Sequence, residues 1–340
     1  MNTSALSCAD CSAPNPQWAS INRGVLICNE CCSVHRSLGR HVSQVRSIRA
    51  PNWPPVQKEM LFTLYNKGAN SLWEHALHNS SSKVKLKKPS YRDKLQTTRH
   101  DFIIAKYKNL QLLPRISHKD NPNAYQDLSK QLHASVRTNN LETCLRLLAL
   151  GGNPNFCHPE RGNTPLHVAS QAGQAMQVEL LIIHGANPCT LDGLGHTPEE
   201  CARIAGHHQL ADRLIEMQYE LADKLSFFLC GRKPMHSMGE HYLIPNVAGS
   251  GLNVGLGEAN TRLQELDNEQ FEQLACDVCD EVDRRETDAI WLTTEQLQSS
   301  IAFLPVNPTL SPLRNQGTTE TGHSGRPGLC SAGGGSLSGH

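Results

Sequence analysis

Cys8-x-x-Cys11 and Cys28-x-x-Cys31, sixteen residues apart, constrain this chain more than any other feature of its 340 residues. A CxxC knuckle bends so that both thiolates face one ion. Two knuckles at a spacing of roughly 15–20 residues complete a tetrahedral four-cysteine zinc site. The intervening SAPNPQWASINRGVLI opens on turn formers and closes on the strand-like GVLI, so a hairpin is expected to bring the knuckles together. Four thiolates leave no open coordination position, and one zinc ion held by Cys8, Cys11, Cys28 and Cys31 is expected to stabilise the fold rather than to activate water. Cys32 directly follows a ligand and should leave the knuckle in another direction. His35 could coordinate only by displacing a thiolate, so both read as local packing. A further CxxC, Cys276 and Cys279, has no partner pair and falls at i, i+3 on an expected helix.

Thirteen cysteines with no secretory signal at MNTSALSCAD point to metal binding or reduced thiols in the cytoplasm. The longest apolar runs, such as LLIIHG, are far short of the roughly 20 residues of a membrane span. The net charge of zero hides an asymmetry: residues 1–120 carry 18 Lys+Arg against 7 Asp+Glu, and the remainder carries 14 against 25. A basic first third suits an anionic partner, whether lipid headgroups, nucleic acid or a nucleotide-bearing protein, and a solvated basic face is the bland alternative. Nucleic acid is disfavoured, because no recognition-helix pattern is tied to the knuckles and the rest of the chain is acidic. SSSKVKLKKPSYRDK (80–94) reads as a basic loop able to touch an anionic membrane surface, or simply solvated.

The full pattern, CxxC-x16-CxxC-x4-R with WASINRGVLIC between the knuckles and SVHRSLGRHVSQVRSI after them, resembles the ArfGAP zinc-finger domain. Trp18, Ile21, Asn22 and Gly24 match that family between the knuckles; His35, Leu38, Gly39, His41 and Ser43 match it after them. The likeness continues through KGANSLWE and DFIIAKY, so the domain is expected over 1–124. The resemblance implies activation of GTP hydrolysis on GTP-bound Arf small GTPases and puts Arg36 at the catalytic arginine position. Without the resemblance, Arg36 reads as an ordinary surface arginine beside a knuckle. Arg40, Arg46 and Arg49 lie on the same basic stretch and could steer a partner or touch lipid. Trp18 and Trp53 read as core anchors.

From about residue 128 the chain repeats with a 33-residue offset: NTPLHVASQAGQ (163–174) aligns with HTPEECARIAGH (196–207), and QLHASVRTNN is an earlier copy. That period with TPLHVA is the ankyrin signature, so an all-α solenoid is expected over 128–225 in units 128–160, 163–195 and 196–225. The histidines of the PLH-type positions, His133 and His167, read as structural, hydrogen-bonding between repeats. A terminal apolar helix and Gly-rich linker are expected over 226–260, an amphipathic helical segment over 261–295, and a disordered Gly/Ser/Thr-rich tail over 296–340.

A four-cysteine zinc-finger domain of α+β class, then ankyrin repeats, then DEVDRRETDAIW is the order of the GIT family of ArfGAPs, a likeness running to about residue 316. It implies a Spa-homology repeat at 261–295 able to bind PIX-type exchange factors. The family's second Spa-homology copy, coiled coil and paxillin-recognising bundle are not present, so paxillin binding is not expected. The expected function is Arf GTPase activation by an arginine finger, without a reaction of its own and with scaffold roles. The runner-up is a non-catalytic zinc and ankyrin adaptor. Peripheral recruitment to membranes or to adhesion and signalling complexes is expected in either case.

Overall fold

The computed structural model describes residues 6–50, 53–78, 86–93, 96–114 and 123–220, together with 223, 234–236 and 278. The expected terminal helix, linker, amphipathic segment and tail lie almost entirely outside the described residues, as do residues 80–85 and 94 of the basic loop.

The first part is a small α+β unit built on a three-stranded antiparallel sheet in the order β2-β1-β3. Strand β1 (Trp18–Ser20) is central and turns back into β2 (Val25–Ile27), as the GVLI run predicts. Strand β3 (Val45–Ser47) pairs with its other edge, placing Trp18 opposite both Ile27 and Ser47. The β1–β2 turn requires Gly24. Its φ is +65°, and a Cβ there would stand 2.9 Å from Leu64 Cδ1 and 3.5 Å from Leu145 Cδ2. Helix α1 (Asn29–Ser37) follows β2 directly, and α2 (Pro55–Asn66), α3 (Ala69–Trp73), α4 (His75–His78) and α5 (Gln96–Ile103) complete the unit. Helix α5 widens into a π-helical turn over Ile104–Lys108, which directs Ala105, Lys106 and Tyr107 inward together. Trp18 and Trp53 are buried as expected of anchors, and Trp53 Nε1 donates to Ser47 O at 2.7 Å. Trp73 is a third buried tryptophan of this unit.

The second part is three helix pairs: α6 (Ala124–Ser135) with α7 (Leu141–Ala149), α8 (Pro165–Gln171) with α9 (Ala175–Ile183), and α10 (Pro198–Ile204) with α11 (His208–Gln218). The Thr-Pro of the repeat has a local cause. Thr164 and Thr197 are N-caps, Pro165 and Pro198 occupy the first turn where no backbone donor is needed, and His167 or Glu200 closes a capping box. The Ala-Gly of the repeat has a local and an inter-repeat cause: Gly173 has φ +66°, and a Cβ on it would meet Cε1 of His207 in the next repeat at 2.5 Å. His167 Nε2 donates to His196 O of the next unit at 3.0 Å, and His133 Nε2 pairs with Asn163 Oδ1 at 2.8 Å, so both histidines bridge repeats as expected. The first helix begins at Ala124, four residues before the expected repeat start, because the helical turn extends back past the repeat signature to Asn123. Among the described residues no helix is long and apolar enough to cross a membrane.

The two parts share one buried core. Helix α2 lies against α7 and α9, the second helices of the first two repeats. Gln57 Nε2 donates to Glu179 Oε2 at 3.4 Å, Gln44 Nε2 to Ile183 O at 3.2 Å, and Thr63 Oγ1 lies 3.8 Å from Met176 Sδ.

Candidate metal centre and the helix that carries Arg36

The first knuckle is a tight turn: Cys8 N donates to Ala13 O at 2.8 Å and Ser12 N to Cys8 O at 3.0 Å, with Ser12 at φ +61°. Ala9 N donates to Leu26 O at 2.8 Å, which ties the knuckle to β2. The second knuckle is the start of α1. Cys28 is its N-cap in extended conformation, Cys31 falls in the first turn, and Cys32 N donates to Cys28 O at 2.8 Å.

The hairpin therefore converges the four expected ligands. The Sγ atoms of Cys8, Cys11, Cys28 and Cys31 all lie within 4.8 Å of one another, with Cys11 and Cys28 at 3.6 Å. A tetrahedral zinc with ligands at about 2.3 Å would need sulfurs about 3.8 Å apart, so the donor set fits the ion in number, chemistry and spacing. The electrostatics point the same way. Burial raises the Cys8 thiol and hydrogen bonds from Cys28 and Cys31 more than offset it, to about 6, while the Cys31 thiol is pushed up by hydrogen bonds to Cys11, Cys28 and Cys8. Four thiolates cannot coexist here without a cation to balance them.

Cys32 and His35 are not part of the quartet, in keeping with the packing role expected of them. Cys32 is fully buried, and burial pushes its thiol up to about 12. His35 spends both ring nitrogens elsewhere: Nε2 contacts Asp10 Oδ2 at 2.9 Å and Nδ1 contacts Ser43 Oγ at 2.7 Å. Its ring also packs on Tyr107 with centroids 4.8 Å apart.

Beneath the knuckles lies a charge cluster that sequence reasoning missed. Lys106 is fully buried, and its Nζ donates to Asn70 Oδ1 at 2.7 Å, Glu74 Oε1 at 2.8 Å, Asp10 Oδ1 at 2.9 Å and Ala9 O at 3.2 Å. Burial opposes the ammonium, but the carboxylates of Asp10 and Glu74 outweigh it and raise the Lys106 pKa. Burial likewise opposes the Asp10 carboxylate, and Lys106 and His35 bring its pKa below the ordinary value. Tyr107 OH donates to Asp10 Oδ1 at 3.0 Å, and Lys88 Nζ reaches Glu74 Oε2 at 3.0 Å from the rim. Asp10 sits between Cys8 and Cys11, so this cluster holds the first knuckle from below.

Arg36 occupies the last turn of α1 and is partly exposed. Its carbonyl accepts from Gly39 N at 3.3 Å, and that of His35 from Leu38 N at 3.2 Å, as the helix ends. Its helix is held at three points: Cys28 and Cys31 at the start, His35 on the buried face, and an ion pair from Glu30 to Arg99 of α5. Of the neighbouring arginines, Arg40 and Arg49 are exposed as a steering role would need. Arg46 is not poised that way: its guanidinium lies 4.9 Å over the Trp53 ring and donates to Gln57 Oε1 at 3.2 Å.

Comparison with known proteins places these features in context. A family model described as a putative GTPase activating protein for Arf matches residues 2–115, ankyrin repeats in three copies match 132–225, and the Spa2 homology domain of GIT matches 259–287. The human ARF GTPase-activating protein GIT2 is 55% identical over 320 residues, which cover 91% of this chain and 42% of the relative. Human ARF GTPase-activating protein GIT1 is 54% identical over 319 residues, and the Drosophila melanogaster protein Git 46% identical over 326, covering 45% of the relative. The chain thus spans less than half the length of the curated relatives it matches. With a four-cysteine domain, an ankyrin stack and a Spa-homology match in this order, and this identity along nine-tenths of its length, the chain belongs to the GIT family of ArfGAP-domain proteins.

Proposed function

We propose that the chain is a GTPase-activating protein for Arf-family small GTPases, with Arg36 acting as an arginine finger in trans. The observation that carries this reading is where Arg36 stands: partly exposed in the last turn of a helix whose first turn holds two of the four clustered cysteines. The γ-phosphoryl transition state spreads negative charge over oxygens that an isolated GTPase stabilises poorly, and a guanidinium supplied from outside offsets that charge. Such fingers are worth roughly 10³–10⁵ in rate. The gain depends on the side chain being held before the encounter, which the anchoring of α1 by Cys28, Cys31 and His35 provides. One zinc ion bound by Cys8, Cys11, Cys28 and Cys31 would join the knuckles and neutralise the thiolates, a structural contribution. On this reading the chain is an activator and catalyses no reaction of its own.

The proposed domain limits are 1–124, 128–225, 226–260, 261–295 and 296–340. The segment 261–295 is proposed to contact PIX-type exchange factors, and the basic surface of the first domain, with Arg40 and Arg49 exposed, to contact acidic lipid during peripheral recruitment. Single-turnover GTP hydrolysis on membrane-bound Arf tests the central claim. Wild type should accelerate hydrolysis, and Arg36→Lys, which keeps charge but loses the planar fork, should lose nearly as much as Arg36→Ala. Equal acceleration by wild type and Arg36→Lys refutes the finger. No acceleration by wild type favours the adaptor reading.

A further inference from the structure

Six lysines and arginines fall between residues 123 and 220. Three of them are paired with acids: Arg146 with Glu142, Arg203 with Glu199 and Asp212, and Arg213 with Glu179 and Glu216. The other three, Lys130, Arg137 and Arg161, have no acidic partner among the described residues. These three line one cavity of about 270 Å³, together with His133, His158 and Ala134. No carboxylate lines it, and Glu160, the neighbour of Arg161 in sequence, is exposed outside it. The cavity is formed by α6, which supplies Lys130, His133 and Ala134, by Arg137 just beyond the end of that helix, and by the loop between α7 and α8, which supplies His158 and Arg161. It therefore lies on the row of first helices, whereas α2 of the zinc domain packs on the second helices α7 and α9.

An ankyrin stack that neutralises its other arginines but converges three unpaired cations on one concavity has built a positive site. His133 registers that field. Burial is the main cause of its lowered pKa, and His158, Arg137 and Arg161 lower it further against the hydrogen bond it donates to Asn163 Oδ1. We propose that this cavity binds a phosphomonoester-bearing anion. A phosphomonoester carries about −1.5 to −2 charges and three acceptor oxygens, which suits two guanidinium forks and an ammonium. A carboxylate would leave most of the positive charge uncompensated. The volume, just below the roughly 300–1,000 Å³ of ordinary ligand pockets, fits a single phosphorylated headgroup or sugar rather than a folded segment. The site is independent of GTP hydrolysis, so its test succeeds or fails separately from that of Arg36.

Calorimetric titration of the full chain with fructose 1,6-bisphosphate at constant ionic strength, with fructose as the control, measures it directly. The expected result is one saturable site that Arg137→Gln/Arg161→Gln weakens at least about tenfold, since charge-assisted bonds are lost. Arg146→Gln/Arg203→Gln, which removes the same two charges from paired arginines, should bind like wild type. Both substituted arginines are exposed, and circular dichroism verifies that the fold survives; Lys130→Gln is the second variant, with a smaller loss expected. Co-sedimentation with phosphatidylcholine vesicles containing phosphatidic acid identifies the source. Pelleting that needs Arg137 and Arg161 and is competed by the bisphosphate supports the site with a lipid headgroup as the ligand. Bisphosphate binding without such pelleting supports it with a soluble one. Absence of saturable binding, or equal weakening by Arg146→Gln/Arg203→Gln, overturns the proposal.

Discussion

Lys106→Met removes the cation at the centre of the cluster beneath the metal centre while nearly preserving its volume. Lys106 Nζ contacts four oxygens between 2.7 and 3.2 Å, two of them on carboxylates, Asp10 at 2.9 Å and Glu74 at 2.8 Å. Both acids are buried, so the substitution strands negative charge away from water. Breaking a buried pair in this way costs about 3–5 kcal/mol. His35 still faces Asp10 and Lys88 still reaches Glu74, so the lower end, ~3 kcal/mol, is expected. In a cooperative unit of about 200 residues that corresponds to a fall in melting temperature of ~6–12 °C. The assay is differential scanning calorimetry of the zinc-loaded protein, paired with zinc release to a chelator. Because Asp10 lies between Cys8 and Cys11, Lys106→Met should also release zinc faster. Adding Glu74→Gln removes one stranded charge, so the double variant should lose less than the sum of the two single losses. A melting temperature within about 2 °C of wild type, with unchanged zinc release, would show that the cluster does not support the knuckle.

Two further outcomes follow from the same geometry. Cys28→Ser removes a proposed zinc ligand that is also the N-cap of α1, so it should abolish stoichiometric zinc binding and the cooperative transition of the first domain, as should chelation of the wild type; a folded variant with one zinc still bound would refute the ligand set. His184, whose Nε2 is buried without a partner, is lowered to about 4 by burial and by the nearby Arg23. The unfolded chain takes up its proton near pH 6.5 and the folded chain only near pH 4, so stability is present above pH 6.5 and is lost as pH falls through that window, by up to ~3 kcal/mol. Urea unfolding at pH 7.5, 6 and 5 should show a shallower pH dependence in His184→Gln than in wild type, and identical slopes would refute the assignment.

The parts of this architecture that were legible in the sequence are those whose physics is local. Two CxxC knuckles need only a hairpin between them, and TPLH followed 33 residues later by TPEE records a cap, a first-turn proline and a capping box inside one segment. What was not legible depends on partners far away in the chain. Nothing in the spacing of DFIIAKYK marks Lys106 as buried, and only the π-helical turn and partners 32–97 residues distant make it a core residue. Arg46 looked like a steering charge, yet Trp53 and Gln57 hold it inward. Strand β3 is three residues long and carries an arginine at its centre, too little pattern to distinguish it from a loop. The basic cavity escaped because its cations come from two segments, and spacing along the chain records neither the cavity nor the missing acids.

The junction between the zinc domain and the ankyrin stack was equally invisible, and it changes how the position of Arg36 should be understood. Helix α2 buries Met60, Leu61 and Leu64, and its polar Gln57 and Thr63 engage Glu179 and Met176 of the second repeat. Glu179 is itself buried and held by Arg213 of the third repeat at 2.8 Å, so the contact is relayed across two units of the stack. At the same junction, the Gly24 turn is wedged against both Leu64 of α2 and Leu145 of α7. That turn joins β1 to β2, and β2 runs straight into Cys28 and α1. The base from which Arg36 projects therefore extends beyond four cysteines, through a hairpin whose turn is clamped by the first repeat. An ankyrin stack packed this closely cannot be removed without uncovering apolar surface of α2 and breaking the Gln57 contact to Glu179, so it contributes to the zinc domain's stability as well as offering a surface of its own.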